Sequence, residues 1–158
     1  MGLLATGCRS DLGEIDGIFY NGDGRTVHCA ANLDTSAGES LASIDTALDR
    51  AAERNEVVEL YTHRPELSVP MATIEHVLAG ARARNLPFVT YADFAAGGGT
   101  GPGVALSFDD SGVLYWMAAR PLFLRYQARV TFFVCRYFEM SADIRGQLRE
   151  LANDGHDV

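Results

Sequence analysis

Two adjacent carboxylates close an apolar run, Val104-Ala105-Leu106-Ser107-Phe108-Asp109-Asp110. Residues of strand-like composition thus deliver Asp109 and Asp110 at a strand's C-terminal end. In α/β layers and barrels that end is where active sites are built. Two carboxylates there divide labour well: one holds a metal ion, the other takes a proton from the water on it. The tetrad Asp109-Asp110-Ser111-Gly112 equally suits a polar turn that caps the following helix. The choice between these readings depends on the elements that carry the pair.

Strand and helix signals alternate along the chain. Ile15–Tyr20 is a short apolar run, Asn21-Gly22-Asp23-Gly24 a turn, and Thr26–Leu33 reads as a strand. Leu41, Ile44, Leu48 and Ala51 share a helical face, with Ser40 as N-cap and a stop near Asn55. Val57–Thr62 is a strand. Ser68-Val69-Pro70 opens a second helix with Ile74, Val77, Leu78 and Ala81 on one face and a stop near Asn85. Pro87–Tyr91 reads as another strand. Residues 95–103 hold Gly97-Gly98-Gly99 and Gly101-Pro102-Gly103 and read as a linker; no GK[ST] follows, so it is not a phosphate loop. Beyond the aspartates come a helical stretch containing Trp116 and interrupted at Pro121, then the strand Val130–Val134. A last helix has Ser141 as N-cap, Ile144, Leu148 and Leu151 on one face, and Gly155 as its stop. Strand–helix–strand repetition implies parallel pairing with helices packed outside. A full barrel of this kind needs about 250 residues. The 158 residues here suit a partial (β/α) barrel.

Composition narrows the function. Asp and Glu number 21 against 13 Lys and Arg, a formal net charge of −8, which argues against a nucleic-acid partner. No apolar run is long enough to cross a membrane. The cysteines, Cys8, Cys29 and Cys135, lack metal or redox spacing, and Cys29 and Cys135 read as free buried thiols. The opening Met1–Cys8 resembles the end of a bacterial lipoprotein signal, without a basic n-region or a long apolar stretch. Cys8 is thus either a site for a lipid anchor, which places the protein in the cell envelope, or an ordinary thiol of a cytoplasmic protein.

The second half resembles the opening of a polysaccharide deacetylase domain, the NodB-homology type of carbohydrate esterase family four. Three segments carry the resemblance: Ser107–Asp110, Ala128–Val134, and Leu148–Val158 with its Gly155-His156-Asp157-Val158 step. The family's corresponding motifs are T-F-D-D-G, A-x-x-T-F-F-V and G-H-E/D-I/V. The likeness covers residues 104–158, with Ser107 in place of Thr and Ser111 in place of Gly. It implies a divalent-metal hydrolase, with zinc as the ion, that removes N-acetyl groups from an acetylated polysaccharide. Asp109 would be the general base and Asp110 a metal ligand. The family's two metal-binding histidines lie in an H-x-x-x-H motif beyond the G-H-D-V step. His156 is not one of them and is expected to be structural. The expectation is that the reading frame continues into that motif.

Residues 15–94 resemble the closing elements of the same domain, through Glu56–His63, Ile74–Arg84 and Asn85–Tyr91. Closing elements that precede opening ones imply a circularly permuted barrel, a rearrangement that is cheap where termini meet at the surface. His63 would then act as general acid on the face of Asp109, or it is a loop histidine before Arg64-Pro65. A catalytically inactive glycan-binding or structural domain on the same scaffold is the alternative. Among the rest, His28 reads as partly buried and His76 as solvated. Asp23 and Asp34 read as turn residues without a catalytic role. Glu39, Asp45, Asp49 and Glu53 read as a solvated helix face; Trp116, Tyr115 and Phe123 could line a sugar groove, but at helical spacing after a strand they read as core.

Overall fold

The structure, a computed structural model, describes residues 11–158. The segment 1–10, with the lipidation expected at Cys8, lies outside the described residues. No helix among the described residues is long and apolar enough to cross a membrane.

The chain forms an α/β fold around a mixed, mostly parallel sheet. Its strands are β1 (Phe19–Tyr20), β2 (Ala31–Asn32), β3 (Val57–Thr62), β4 (Gly103–Asp110) and β5 (Thr131–Val134). The helices are α1 (Leu41–Arg54), α2 (Met71–Ala83), α3 (Tyr91–Ala95), α4 (Val113–Tyr126) and α5 (Ala142–Asn153). β3 pairs in parallel with β4, and β4 with β5. The other edge of β3 is shared: β1 pairs antiparallel with its first half and β2 parallel with its second. The segments on either side of the glycine-rich stretch therefore build one sheet.

Alternation along the strands decides the layers. Val58, Leu60, Val104, Leu106, Phe108 and Phe132 point to one face and pack with Ile44, Leu48, Ile74, Leu78, Trp116, Phe123, Leu148 and Leu151 of the helices. Burying each large side chain is worth about 1.5–3 kcal/mol. The opposite face carries Glu59, Tyr61, Ser107 and Asp109, with a small second core of Tyr20, Val57, Val89 and Ala105. Only that second face is free to present polar groups.

The helices with clear periodicity form as their sequence dictates. α1 is capped by Ser40, whose hydroxyl accepts from the Ser43 N–H, and ends at Asn55 in the left-handed region. α5 is capped by Ser141. α4 departs from expectation by running through Pro121. The proline faces solvent while Trp116, Ala119, Leu122 and Phe123 are buried, so packing outweighs the lost hydrogen bond.

The short apolar runs are where the sequence reading fails. Ile15–Tyr20 is mostly 3₁₀ turn, with only Phe19–Tyr20 in the sheet, and the strand expected at Thr26–Leu33 shrinks to Ala31–Asn32. Pro87–Tyr91 forms no ladder; Phe88 makes one isolated bridge to Val104, and Tyr91 opens α3. Thr90 and Asp93 form a reciprocal capping box that pulls this segment into a helix. Cys29 and Cys135 are free but exposed, against the expectation of buried thiols, because both fall outside the strands. Asp45 and Asp49 are not simply solvated, since Arg84 lies 3.5 Å from the first and 2.6 Å from the second and ties α2 to α1. His76 joins the same network at 3.1 Å from Asp45.

Candidate functional site

β3 and β4 run side by side with Thr62 opposite Phe108. One more step in that register brings His63 opposite Asp109, which itself pairs with Phe133 of β5. On the other side, β2 places Asn32 opposite Tyr61. Carried two residues on, the register sets Asp34 beside His63. Three parallel strand ends thus bring Asp34, His63 and Asp109 into one row, with neighbouring strands about 4.8 Å apart. The place of Asp34 in this row has no sign in the sequence separations.

Asp34 and His63 form a locked pair. The imidazole Nδ1 lies 2.6 Å from Asp34 Oδ2, and the His63 main-chain N–H donates to Oδ1 at 3.2 Å. The Thr62 hydroxyl donates to the same Oδ1 at 2.6 Å. Asp34 is only 8 % exposed. Burial works to raise its pKa, yet hydrogen bonds from Thr62, His63 and Ser68 together hold it below the usual carboxylate range. An ionised Asp34 fixes the tautomer of His63 with Nδ1 protonated, leaving Nε2 to exchange a proton with a ligand. Asp34 does open a turn, its carbonyl accepting from the Ala37 N–H at 2.8 Å; only its contact with His63 has no local signal and depends on the register of β2 with β3.

The main chain of His63 is fixed as well. Its carbonyl accepts from the Trp116 indole N–H at 2.8 Å. A Cβ at Gly112 would come within 3.1 Å of that indole nitrogen and of the Arg64 side chain. The glycine therefore permits the close approach of the β4–α4 loop to His63. Trp116 is core, as is Phe123, while Tyr115 is exposed on the solvent side of α4; Trp116 also positions the site.

Asp109 is half-buried at the end of β4, and its Oδ1 is buried with no hydrogen-bond partner. Burial is the main cause that raises its pKa. His63 opposes the shift, while Asp110 and Asp34 add to it and the Ser107 hydroxyl offsets part. A carboxylate with a raised pKa and an unpartnered oxygen, within electrostatic reach of a histidine, has the properties of a general base.

Asp110 points elsewhere. It adopts φ +82°, a left-handed conformation unusual for a non-glycine residue. Its carbonyl accepts from the Cys135 N–H at 2.6 Å. Its carboxylate is 3.9 Å from the Arg64 guanidinium. A catalytic zinc ion takes three protein donors. Among the described residues no group of three His, Cys, Asp or Glu side chains is placed to hold a metal ion. These residues do not fit a zinc centre.

His156 is buried, its Nδ1 accepts from the Val130 N–H at 3.2 Å, and its ring packs on Phe123 and Phe132. Burial pushes its pKa down to about 4, so it stays neutral at pH 7. It lies on the helix-facing side of the sheet, away from Asp109.

Comparison with family models, with curated proteins and with solved structures returns no match.

Proposed function

We propose that this chain carries the acid–base half of a hydrolase that removes N-acetyl groups from a polysaccharide, chitin-like or peptidoglycan, on a partial, circularly permuted deacetylase barrel. The observation that carries the reading is the row Asp34–His63–Asp109 across three parallel strand ends.

In this reading Asp109 takes the proton from the attacking water, aided by its raised pKa. His63 enters the step doubly protonated, its Nδ1–H held by Asp34, and gives the Nε2 proton to the leaving amine. Both groups then exchange protons with solvent and reset. Zinc, the ion that the resemblance implies, would meet Asp110 on this chain and would need donors beyond those the described residues bring together.

The test is acetate release from N-acetylated oligosaccharides with zinc supplied. Asp109→Asn should abolish it, and His63→Gln should lower it about 10²–10⁴-fold. Absence of release from the unaltered protein, or release that survives Asp109→Asn, overturns the reading. The lack of a three-donor metal group among the described residues favours a second reading, a glycan-binding domain without turnover. Saturable glycan binding with no acetate release would support it.

A further inference from the structure

A second carboxylate–imidazole pair lies on the same face of the sheet, four residues before His63 on β3. Glu59 is 0 % exposed. Its Oε1 is 3.1 Å from His28 Nδ1 and accepts from Arg25 at 3.4 Å, and its Oε2 accepts from the Tyr91 hydroxyl at 3.0 Å. All three partners come from segments distant in sequence, and all three line one cavity of about 520 Å³ together with Tyr20, Thr26 and Phe94. That volume falls within the roughly 300–1,000 Å³ of small-molecule sites.

The lining narrows the ligand. Glu59 is matched by Arg25, so the cavity offers no net charge to an ion. Its wall is aromatic: the Tyr20, His28 and Tyr91 rings each lie within 5.4 Å of the Phe94 ring, centre to centre. Such walls take the flat C–H face of a ring rather than a flexible chain. His28 supplies the polar element. With Nδ1 turned to Glu59, its Nε2 has no hydrogen-bond partner among the described residues, and in the neutral ring it accepts. Asp109 and His63 line none of this cavity.

We propose that this cavity is a sugar-binding subsite, separate from the Asp109 row, that takes an N-acetylated pyranose with its apolar face on the aromatic wall and a hydroxyl or amide N–H donated to His28 Nε2. The choice of an acetylated sugar rests on the deacetylase reading; the cavity and its chemistry do not. An anchor here would hold a glycan while a neighbouring unit reaches Asp109.

The test is NMR titration of the protein with N-acetylglucosamine and its β-1,4 dimer. Saturable shifts at His28, Phe94 and Gly97 are expected. Thr26→Phe, which fills the cavity from an exposed position, should weaken them at least tenfold, and Phe94→Ala should act likewise. Asp109→Asn should leave them unchanged. The subsite is overturned by absence of saturable shifts, by shifts confined to His63 and Asp109, or by shifts that persist in both cavity variants. A purine nucleoside that shifts these signals when the sugar does not would overturn the ligand class. Acetate release that survives Asp109→Asn would sink the deacetylase reading, yet leave this titration readable.

Discussion

The two carboxylate–imidazole pairs on β3 solve different problems with the same chemistry. Asp34 and His63 sit at the strand ends, where backbone amides and hydroxyls are free to donate. Four hydrogen bonds outweigh burial there, and the carboxyl is held ionised. Glu59 sits inside the sheet, where strand neighbours consume the backbone donors. Burial is its dominant influence, and despite His28, Tyr91 and Arg25 its pKa is raised. Depth along one strand therefore separates a polarised, partly open pair from a carboxyl sealed among side chains. Acid–base chemistry suits the first, and organising a cavity suits the second.

The largest effect should come from emptying the deeper pair. Glu59→Ala leaves Arg25, His28 and Tyr91 without their shared acceptor and should cost about 3–5 kcal/mol in urea unfolding. A loss of under about 1 kcal/mol would mean that the cluster holds little together, and the contrast with Asp34 would collapse. Asp34→Ala should be milder, about 1–3 kcal/mol, because Thr62 and His63 lie nearer water. It should also move the His63 ring signals in NMR, because the Nδ1 contact is lost, which Glu59→Ala should not do.

Acid–base titration of stability sharpens the contrast, since the two shifts have opposite signs. Asp34 has a lowered pKa, so its contribution is present above its ordinary value of 3.8 and disappears as pH falls through the lower folded value. Glu59 has a raised pKa. Its contribution is full below its ordinary value of 4.5 and is lost as pH rises through the higher folded value. Unfolding followed from pH 3 to pH 8 should show Glu59→Gln flattening the upper part of the profile and Asp34→Asn the acid part. Identical profiles for the two variants would refute the distinction. His156 adds an independent loss: as pH falls from about 6.5 towards 4 the unfolded chain gains a proton that the folded chain refuses.

The smallest effect should be a gain. Asp109 has a raised pKa and an unpartnered oxygen, so its ionised form is disfavoured in the fold. Asp109→Asn should raise the melting temperature slightly at pH 7, with the gap closing as pH falls below the folded pKa. A stabilising change that removes activity is the mark of a group placed for chemistry. A lower melting temperature would instead assign Asp109 a structural role.

Much of the scaffold was written locally. α1, β3, α2 and α5 follow from periodicity and caps, because Ser40, Asn55 and Ser141 act on their own neighbours within a few residues. The aspartate pair at the end of β4 was legible for the same reason, as an apolar run that stops at two charges. Segments with weak local signals went astray. Residues 26–30 and 87–90 have strand-like composition, but the edges of β3 and β4 give them only short pairings. Asp110 in the left-handed region had no sequence signal at all.

The sequence by itself determined which residues were available: Asp109 at a strand end, His63 just past another, and a polar inner face opposite an apolar one. Only the tertiary structure decided which of them meet. Asp34 lies 29 positions before His63, and Glu59 lies 31 after His28. Neither distance carries a period that a helix or a strand imposes. Both pairs exist because β2 enters the sheet beside the second half of β3 and β1 beside the first. Strand register is set by whole-sheet packing, so the partners of these histidines became visible only once the sheet was assembled.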